Sequence, residues 1–313
     1  MSRKASSGAP VLIVYVVTML ICFVIFGSAG VFLLDKFVTQ PKEQLEQDRN
    51  EVTTAPVEEY DYSQFRRTFL FVNAQGETVN GILLLRVIPD NLTVKVVPIS
   101  PCTLASVGSA SGTIASLYEA GGMTYLTKAV EDATGIEAEK YLKIDNEGFA
   151  RLVEYFGGTS TYVFPSDLYY KDEATGEMTS FSHGPASRTL WGDDLRRIVN
   201  YPLYEQGGKD RLSVLGEISV SLINSACYQN NKNVNANLQN IFNTIFNYSD
   251  TDITSKDFKE ARKAYEYLTE DPIQPATYRL PQGEWNADFT KFDILDSFKD
   301  DIKLFFELVE PQQ

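Results

Sequence analysis

Histidine is almost missing from this chain: His183 is the only one. A histidine-based triad or a histidine-rich metal site would have to use it, beside Gly184–Pro185, and both are disfavoured. The three cysteines are too few for a disulfide framework. Cys22 lacks the small residues that precede a lipoprotein cysteine. Cys227 sits near the far end of the helix expected to begin at Arg211, about 24 Å along its axis, which disfavours a Cys102–Cys227 bridge. Positive charge is also scarce. Lys and Arg number 28 against 42 Asp and Glu, a formal net charge of −14. Nucleic acid is argued against, because phosphate binding needs a basic surface. Broad attraction to anionic polymers is disfavoured too, although a local basic pocket stays open. The Gly-rich stretch Ser106–Gly112 lacks the lysine of a phosphate-binding loop and reads as a mobile loop.

What is present begins with a charge-free run. Residues 1–10 form a short polar tail carrying Arg3 and Lys4. Val11–Leu34 has no charged residue and exceeds the about 20 residues that a membrane-spanning helix needs. Val31–Leu34 stay apolar past the small cluster Gly27–Gly30, so the run is longer than a signal-peptide core. Residues 11–34 therefore read as an uncleaved transmembrane helix. Arg3 and Lys4 put the N-terminus in the cytoplasm and residues 65–313 outside the membrane. Residues 35–64 are polar and acidic, a spacer that lifts the domain off the membrane.

Within 65–313 the clearest fold signal is local. Tyr141–Ile144 reads as a buried strand, and Asp145 or Asn146 as a helix N-cap. Phe149, Leu152, Val153 and Phe156 then recur on one helical face, stopped by Gly157–Gly158. Thr159–Phe164 reads as a returning strand. Upstream, Phe69–Val72, Ile82–Leu85 and Leu92–Ile99 read as three strands in close order, with Pro89–Asn91 a turn. Asn91-Leu92-Thr93 fits a glycosylation acceptor, but the turn reading suffices. Two helices are expected around Ile114–Tyr118 and Leu126–Val130, separated by Gly121–Gly122. Residues 167–182 read as an exposed hairpin. Leu190–Tyr201 reads as a helix broken by Gly207–Gly208, and Arg211 as the start of a long helix with Leu212, Leu215, Ile218, Leu222 and Ile223 inward. Asn224–Asn237 is Asn-rich and reads as a connection. Leu238–Phe246 and Phe258–Leu268 read as helices, Tyr278–Pro281 as extended, Phe292–Leu295 as a strand and Phe298–Leu308 as a terminal helix.

This order of elements resembles the extracytoplasmic domain of the LytR–CpsA–Psr family from about Thr68 to Gly283. The matching residues are Tyr118-Glu119-Ala120-Gly121-Gly122, Leu126, Val130, Gly135-Ile136, Tyr141, Gly148-Phe149, Leu152-Val153 and Gly157-Gly158. Leu190-Trp191-Gly192 and Thr251-Asp252-Ile253-Thr254 follow in the family's order. The resemblance implies an α/β domain with a central mixed β-sheet flanked by helices. It also implies transfer of anionic glycopolymers from a polyprenyl-pyrophosphate carrier to the cell wall.

The positions that resemblance makes catalytic are altered. Asn80-Gly81 stands where the family has Asp-Thr, its acid a metal ligand. Ser100-Pro101-Cys102 stands where it has Pro-Arg-Asp, and Asn200 and Pro202 fall near its helix-end arginines. Of its Asp-x-x-Arg-x-x-Arg-Gln, matched to Gly208, Arg211, Val214 and Leu215, only Arg211 survives. A pyrophosphate needs guanidinium forks or a carboxylate-held metal, and phosphoryl transfer depends on that positioning. The candidate ligand-binding pocket is thus Arg211, Asn80, Cys102, Arg86 and Arg197, with Arg188 and Arg196 as further guanidiniums. No metal ligand and no catalytic residue is assigned. Cys102 reads as a small buried hydrophobe, or as a thiol if His183 or a cation reaches it. The expected function is a cell-membrane accessory or binding protein with a degenerate site and no cofactor. Its partners would be the membrane and a polyprenyl-linked lipid or cell-wall polymer, not nucleic acid. An active phosphotransferase using Mg²⁺ is the alternative, and a structural or signalling ectodomain without a lipid groove is another.

Overall fold

A computed structural model of the protein describes residues 61–309 except 174 and 272. The expected tail, transmembrane helix and most of the spacer lie outside the described residues. No described helix is long and apolar enough to cross a membrane. The compact unit begins at Asp61, and the Tyr62 ring stacks on Tyr267 at 3.7 Å. The last residues of the expected spacer therefore belong to the domain.

Period-two alternation builds the sheet. Strands β1 (Arg67–Gln75), β2 (Thr78–Ile88) and β3 (Thr93–Ile99) form an antiparallel meander. The stretch read as a mobile loop is instead a hairpin, β4 (Leu104–Val107) and β5 (Ala110–Thr113). Gly108 supplies the positive φ of its turn, and the Ser106 amide donates to Asp132 at 2.8 Å. Helix α1 (Ile114–Thr134) bends at Gly122, which is why its sequence looks like two helices. Strand β6 (Lys140–Ile144) then pairs parallel to β1. Helix α2 (Asn146–Phe156) follows, capped by the Asp145 carboxylate on the Gly148 amide at 2.7 Å. Gly157 and Gly158 both take positive φ and carry the chain off the sheet. The returning strand is therefore only β7 (Val163–Phe164), outside the main sheet. The hairpin β8 (Leu168–Lys171) and β9 (Met178–Phe181) follows, then β10 (Gly184–Pro185), which pairs with β7.

The second half supplies the covering helices. Helix α3 spans Gly192–Val199 and α4 spans Gly207–Asn224. Gly207–Gly208 opens α4, and Gly208 packs so closely that a Cβ there would lie 2.9 Å from the Trp285 ring. A π-turn at Ser225–Gln229 leads into α5 (Asn231–Tyr248). The Asn-rich stretch is thus helical. Asn is a poor helix former, but Asn233 donates to the Tyr155 carbonyl at 2.9 Å and Asn231 to that of Thr269 at 3.3 Å. Strand β11 (Ser249–Thr251), α6 (Ser255–Leu268) and β12 (Ala276–Tyr278) complete the main sheet and its cover. A small pair, β13 (Gly283–Trp285) and β14 (Phe292–Ile294), and helix α7 (Asp296–Phe305) close the chain.

The main sheet runs β11-β6-β1-β2-β3-β12, with parallel and antiparallel pairs. This is the α/β architecture with a central mixed β-sheet flanked by helices. Its two faces are packed differently. Leu70, Val72, Ile82 and Leu84 are 0 % exposed beneath α1 and α7, each contributing about 1.5–3 kcal/mol. On the other face Phe71, Leu85 and Leu142 are only half-buried, under α2, α3, α4 and α5. Phe246 on α5 and Ala261 on α6 are exposed, since each lies off its helix's packed stripe.

Helix α6 gives a pH test. Thr254 and Asp257 form a capping box, and Lys140 Nζ lies 3.0 Å from Asp257. Burial works to raise the Asp257 pKa, but the Thr254 groups and Lys140 outweigh it and hold the carboxyl at about 2. The unfolded value is about 3.9, so the stabilisation is complete above about pH 4 and is lost as pH falls towards 2. Asp257→Asn should cost ~1 kcal/mol at neutral pH. Urea unfolding from pH 7 downward should show the gap closing below about pH 4.

Candidate functional site

The half-buried sheet face is the floor of an apolar groove of about 280 Å³. Phe71 and Leu83 are cross-strand partners there, with Leu85 and Leu142 beside them. Phe149, Leu152 and Phe156 of α2, Leu195 and Val199 of α3, and Leu215, Ile218 and Leu222 of α4 form the walls. Gly81 offers no side chain where Leu215 reaches down; a Cβ there would meet Leu215 Cδ1 at 3.4 Å. The groove's polar groups are few: Asn73, Asn80, Arg196, Asn200 and Ser219.

A smaller cleft of about 100 Å³ adjoins it, sharing Asn80, Val199, Asn200 and Leu215. Val79, Ile99, Ser100, Pro101, Cys102, Gly208, Arg211 and Leu212 complete its lining. Asn80 is fixed by donating from Nδ2 to Asn146 Oδ1 at 3.0 Å. Arg211 donates from Nε to the Tyr201 carbonyl at 3.4 Å and has no carboxylate within 4.0 Å among the described residues. Its guanidinium is the one in the groove and cleft without an acidic partner. Arg196 is already paired, 3.3 Å from Glu177 and 3.8 Å from Asp193.

Three of the five sequence candidates, Arg211, Asn80 and Cys102, line this cleft together. Arg86 does not join them. It lies on the opposite sheet face, 8 % exposed, donating to Thr68 Oγ1 and Glu139 Oε1 at 3.1 Å each. Burial pushes its pKa below the ordinary arginine value while Glu139 pulls the other way. Strand alternation puts Arg86 opposite the face of Gly81, Leu83 and Leu85. Arg197 is also elsewhere, donating to the Asp193 and Met178 carbonyls at 3.2 and 3.1 Å. Its neighbour Arg196 takes the groove position, because successive helical residues differ by about 100°.

Arg188 grips Asp194 with both guanidinium nitrogens, at 2.6 and 2.8 Å. Asp194 is buried, which works to raise its pKa; Arg188, the Trp191 amide and Arg197 prevail and keep it below the usual carboxylate range.

Cys102 is half-buried rather than buried, because it ends β3's run at the cleft. His183 does not line the cleft; its amide donates to Asp167 at 2.7 Å in the β9–β10 connection. Cys102 and Cys227 are both free, and burial pushes the Cys227 thiol up to about 12. The donors around groove and cleft are amides, hydroxyls, a thiol and guanidiniums, and no carboxylate lines either cavity. Mg²⁺ is normally anchored by carboxylates, so these residues do not fit the metal that the resemblance implies. The chemistry they offer is burial of an apolar group beside one guanidinium that has no carboxylate partner among the described residues.

Residues 73–303 match the family model described as the LytR_cpsA_psr family. Among solved structures, the chain is similar to a putative transcription regulator from Eubacterium siraeum. That pair is 19 % identical at a TM-score of 0.67, covering 79 % of this chain and 93 % of that one. TagV of B. subtilis is 16 % identical at a TM-score of 0.61, covering 78 % and 98 %. TagT bound to LI-WTA is 13 % identical at a TM-score of 0.57, covering 80 % and 93 %. No curated protein matches the sequence.

The ion pairing separates two arginines by experiment. Arg211→Met should change stability by less than about 0.5 kcal/mol, since no buried acid depends on it. Arg188→Met should cost about 2 kcal/mol, because it strips the main partner from the buried Asp194. Urea unfolding of both variants measures the contrast.

Proposed function

Because the chain belongs to the LytR–CpsA–Psr family, we propose that it is a single-pass, catalytically degenerate member held in the cell membrane. Its N-terminus would be cytoplasmic, its domain extracytoplasmic, and its role that of a binding or accessory factor in cell-wall glycopolymer assembly. The observation that carries this reading is the pairing of an apolar groove with an adjoining cleft that has one unpaired guanidinium and no carboxylate. A polyprenyl chain suits the groove, whose affinity would come from burying CH₂ groups at about 0.8 kcal/mol each. The diphosphate would meet Arg211 and the amides of Asn80 and Asn200. That set can orient an anion but lacks the charge to stabilise a phosphoryl transition state. The likeness to TagT, solved with LI-WTA bound, supports a partner of the cell-wall polymer kind. A groove lined by Phe and Leu speaks against an ectodomain that never touches lipid.

Full-length chain in vesicles, titrated with farnesyl diphosphate and with undecaprenyl diphosphate, tests this. Tail-length-dependent binding should appear, be lost in Leu215→Trp, weaken about tenfold in Arg211→Ala and be indifferent to Mg²⁺ or EDTA. Tight Mg²⁺-dependent binding with transfer of polymer to peptidoglycan would establish the active transferase instead.

A further inference from the structure

Helix α6 turns more positive than negative charge outward. Lys256, Lys259, Arg262 and Lys263 are all exposed, the Lys256 side chain to 85 %. The acids of the same helix are matched from nearby. Asp257 lies 3.0 Å from Lys140, Glu260 3.8 Å from Arg67 and Glu266 2.8 Å from Arg262. Lys256, Lys259 and Lys263 recur at i, i+3 and i+7, on a single face. Lys256 sits in the first turn, where a cation opposes the helix dipole. On the neighbouring α5, Phe246 is 71 % exposed. Its ring lies 6.3 Å from that of Phe242, which packs 4.3 Å from the Phe258 ring of α6.

A lysine stripe alone is an ordinary solvated face, and one exposed phenylalanine needs no explanation. Side by side, in a chain of net charge −14, they set two constraints on a partner. A soluble polyanion would pair with the lysines and leave Phe246 in water. A purely apolar partner would strand the ammonium groups. A bilayer with anionic headgroups meets both, with phosphates against the lysines and acyl chains around the ring. The chain also enters the domain on this helix, Tyr62 stacking on Tyr267 at 3.7 Å. We infer that α6 and Phe246 form the face on which the domain lies against an anionic bilayer. The inference takes from the proposed function only that the domain sits beside a membrane.

The test uses the full-length chain carrying Phe246→Trp, reconstituted into phosphatidylcholine vesicles with or without phosphatidylglycerol. Brominated acyl chains act as the quencher. The unsubstituted chain in the same vesicles corrects for Trp191 and Trp285. The introduced indole should be quenched in the anionic vesicles only, and high salt should reverse the effect. Lys256→Ser with Lys259→Ser should lower the docked-to-undocked ratio about thirtyfold. No quenching, equal quenching in neutral vesicles, or quenching that the lysine pair leaves intact would overturn the inference. Soluble polyphosphate that shifts the indole emission where bromolipid does not quench it would also overturn it, in favour of a polyanion. Retention of the chain through an alkaline wash reads the anchor separately. If the wash strips the chain, the anchor reading falls, and salt-reversible quenching on the anionic vesicles still decides the docking face.

Discussion

Helix α4 can line both groove and cleft because Gly216 lets it lie against the sheet. A Cβ at that position would sit 2.6 Å from the Tyr278 ring and 3.2 Å from Pro98 Cγ. Glycine inside a helix costs about 1 kcal/mol against alanine, a cost accepted here for the close approach. With the backbone pressed down at that point, neighbouring side chains are directed to either side. Leu215, Ile218 and Leu222 turn towards β2 and α2, while Glu217, Ser221 and Asn224 turn towards β12. Arg211 and Leu212 reach the cleft near the helix start.

The same asymmetry governs the sheet. Under α1 and α7 it is a dry core, with Leu70, Val72, Ile82 and Leu84 fully buried. The cations on that side are tied, Arg86 to Glu139 and Thr68 and its cross-strand partner Lys95 to Glu307. Interiors packed on that side to ordinary density leave no room for a ligand. On the other side α2, α3, α4 and α5 cover a floor that Gly81 keeps low. Stability is concentrated in one layer, so the other can remain open.

Much of this was legible wherever the signal is local. The Asp145 cap, the α2 stripe and the Gly157–Gly158 stop depend on residues within a few positions of one another, and the structure reproduces them. Gly122 was legible as a break between helical stretches, although the chain continues through it as a bend. What could not be read depends on distant partners. The Asn-rich stretch becomes helix because Tyr155 and Thr269 accept from its amides. Thr159–Phe164 is diverted from the main sheet by two consecutive positive-φ glycines. Arg86's place on the other face is legible from alternation along β2. Which of Arg196 and Arg197 faces the groove is not legible, because helix phase is set only once α3 docks. The polar face of α4 is not legible locally, because Glu217, Ser221 and Asn224 come to face β12 only through the fold.

The altered positions also differ in what they remove. Binding of a long isoprenoid draws on buried area, which scales with chain length and needs no charge. Catalysis of phosphoryl transfer draws on charges aimed at the reacting phosphorus, which cannot be replaced by more apolar contact. Under the proposed function, Asn80 and Ser100-Pro101-Cys102 would bear on the second term and hardly touch the first. Asn80 is fixed by Asn146, so the amide is held in place rather than left free to recruit an acid. Arg211, its end nitrogens without a partner among the described residues, would add some attraction for an anion without demanding a metal. Under the proposed function, affinity and catalysis would be separable because different elements would carry them: the former the sheet floor and the stripes of α2 and α4, the latter the cleft of Asn80 and Cys102.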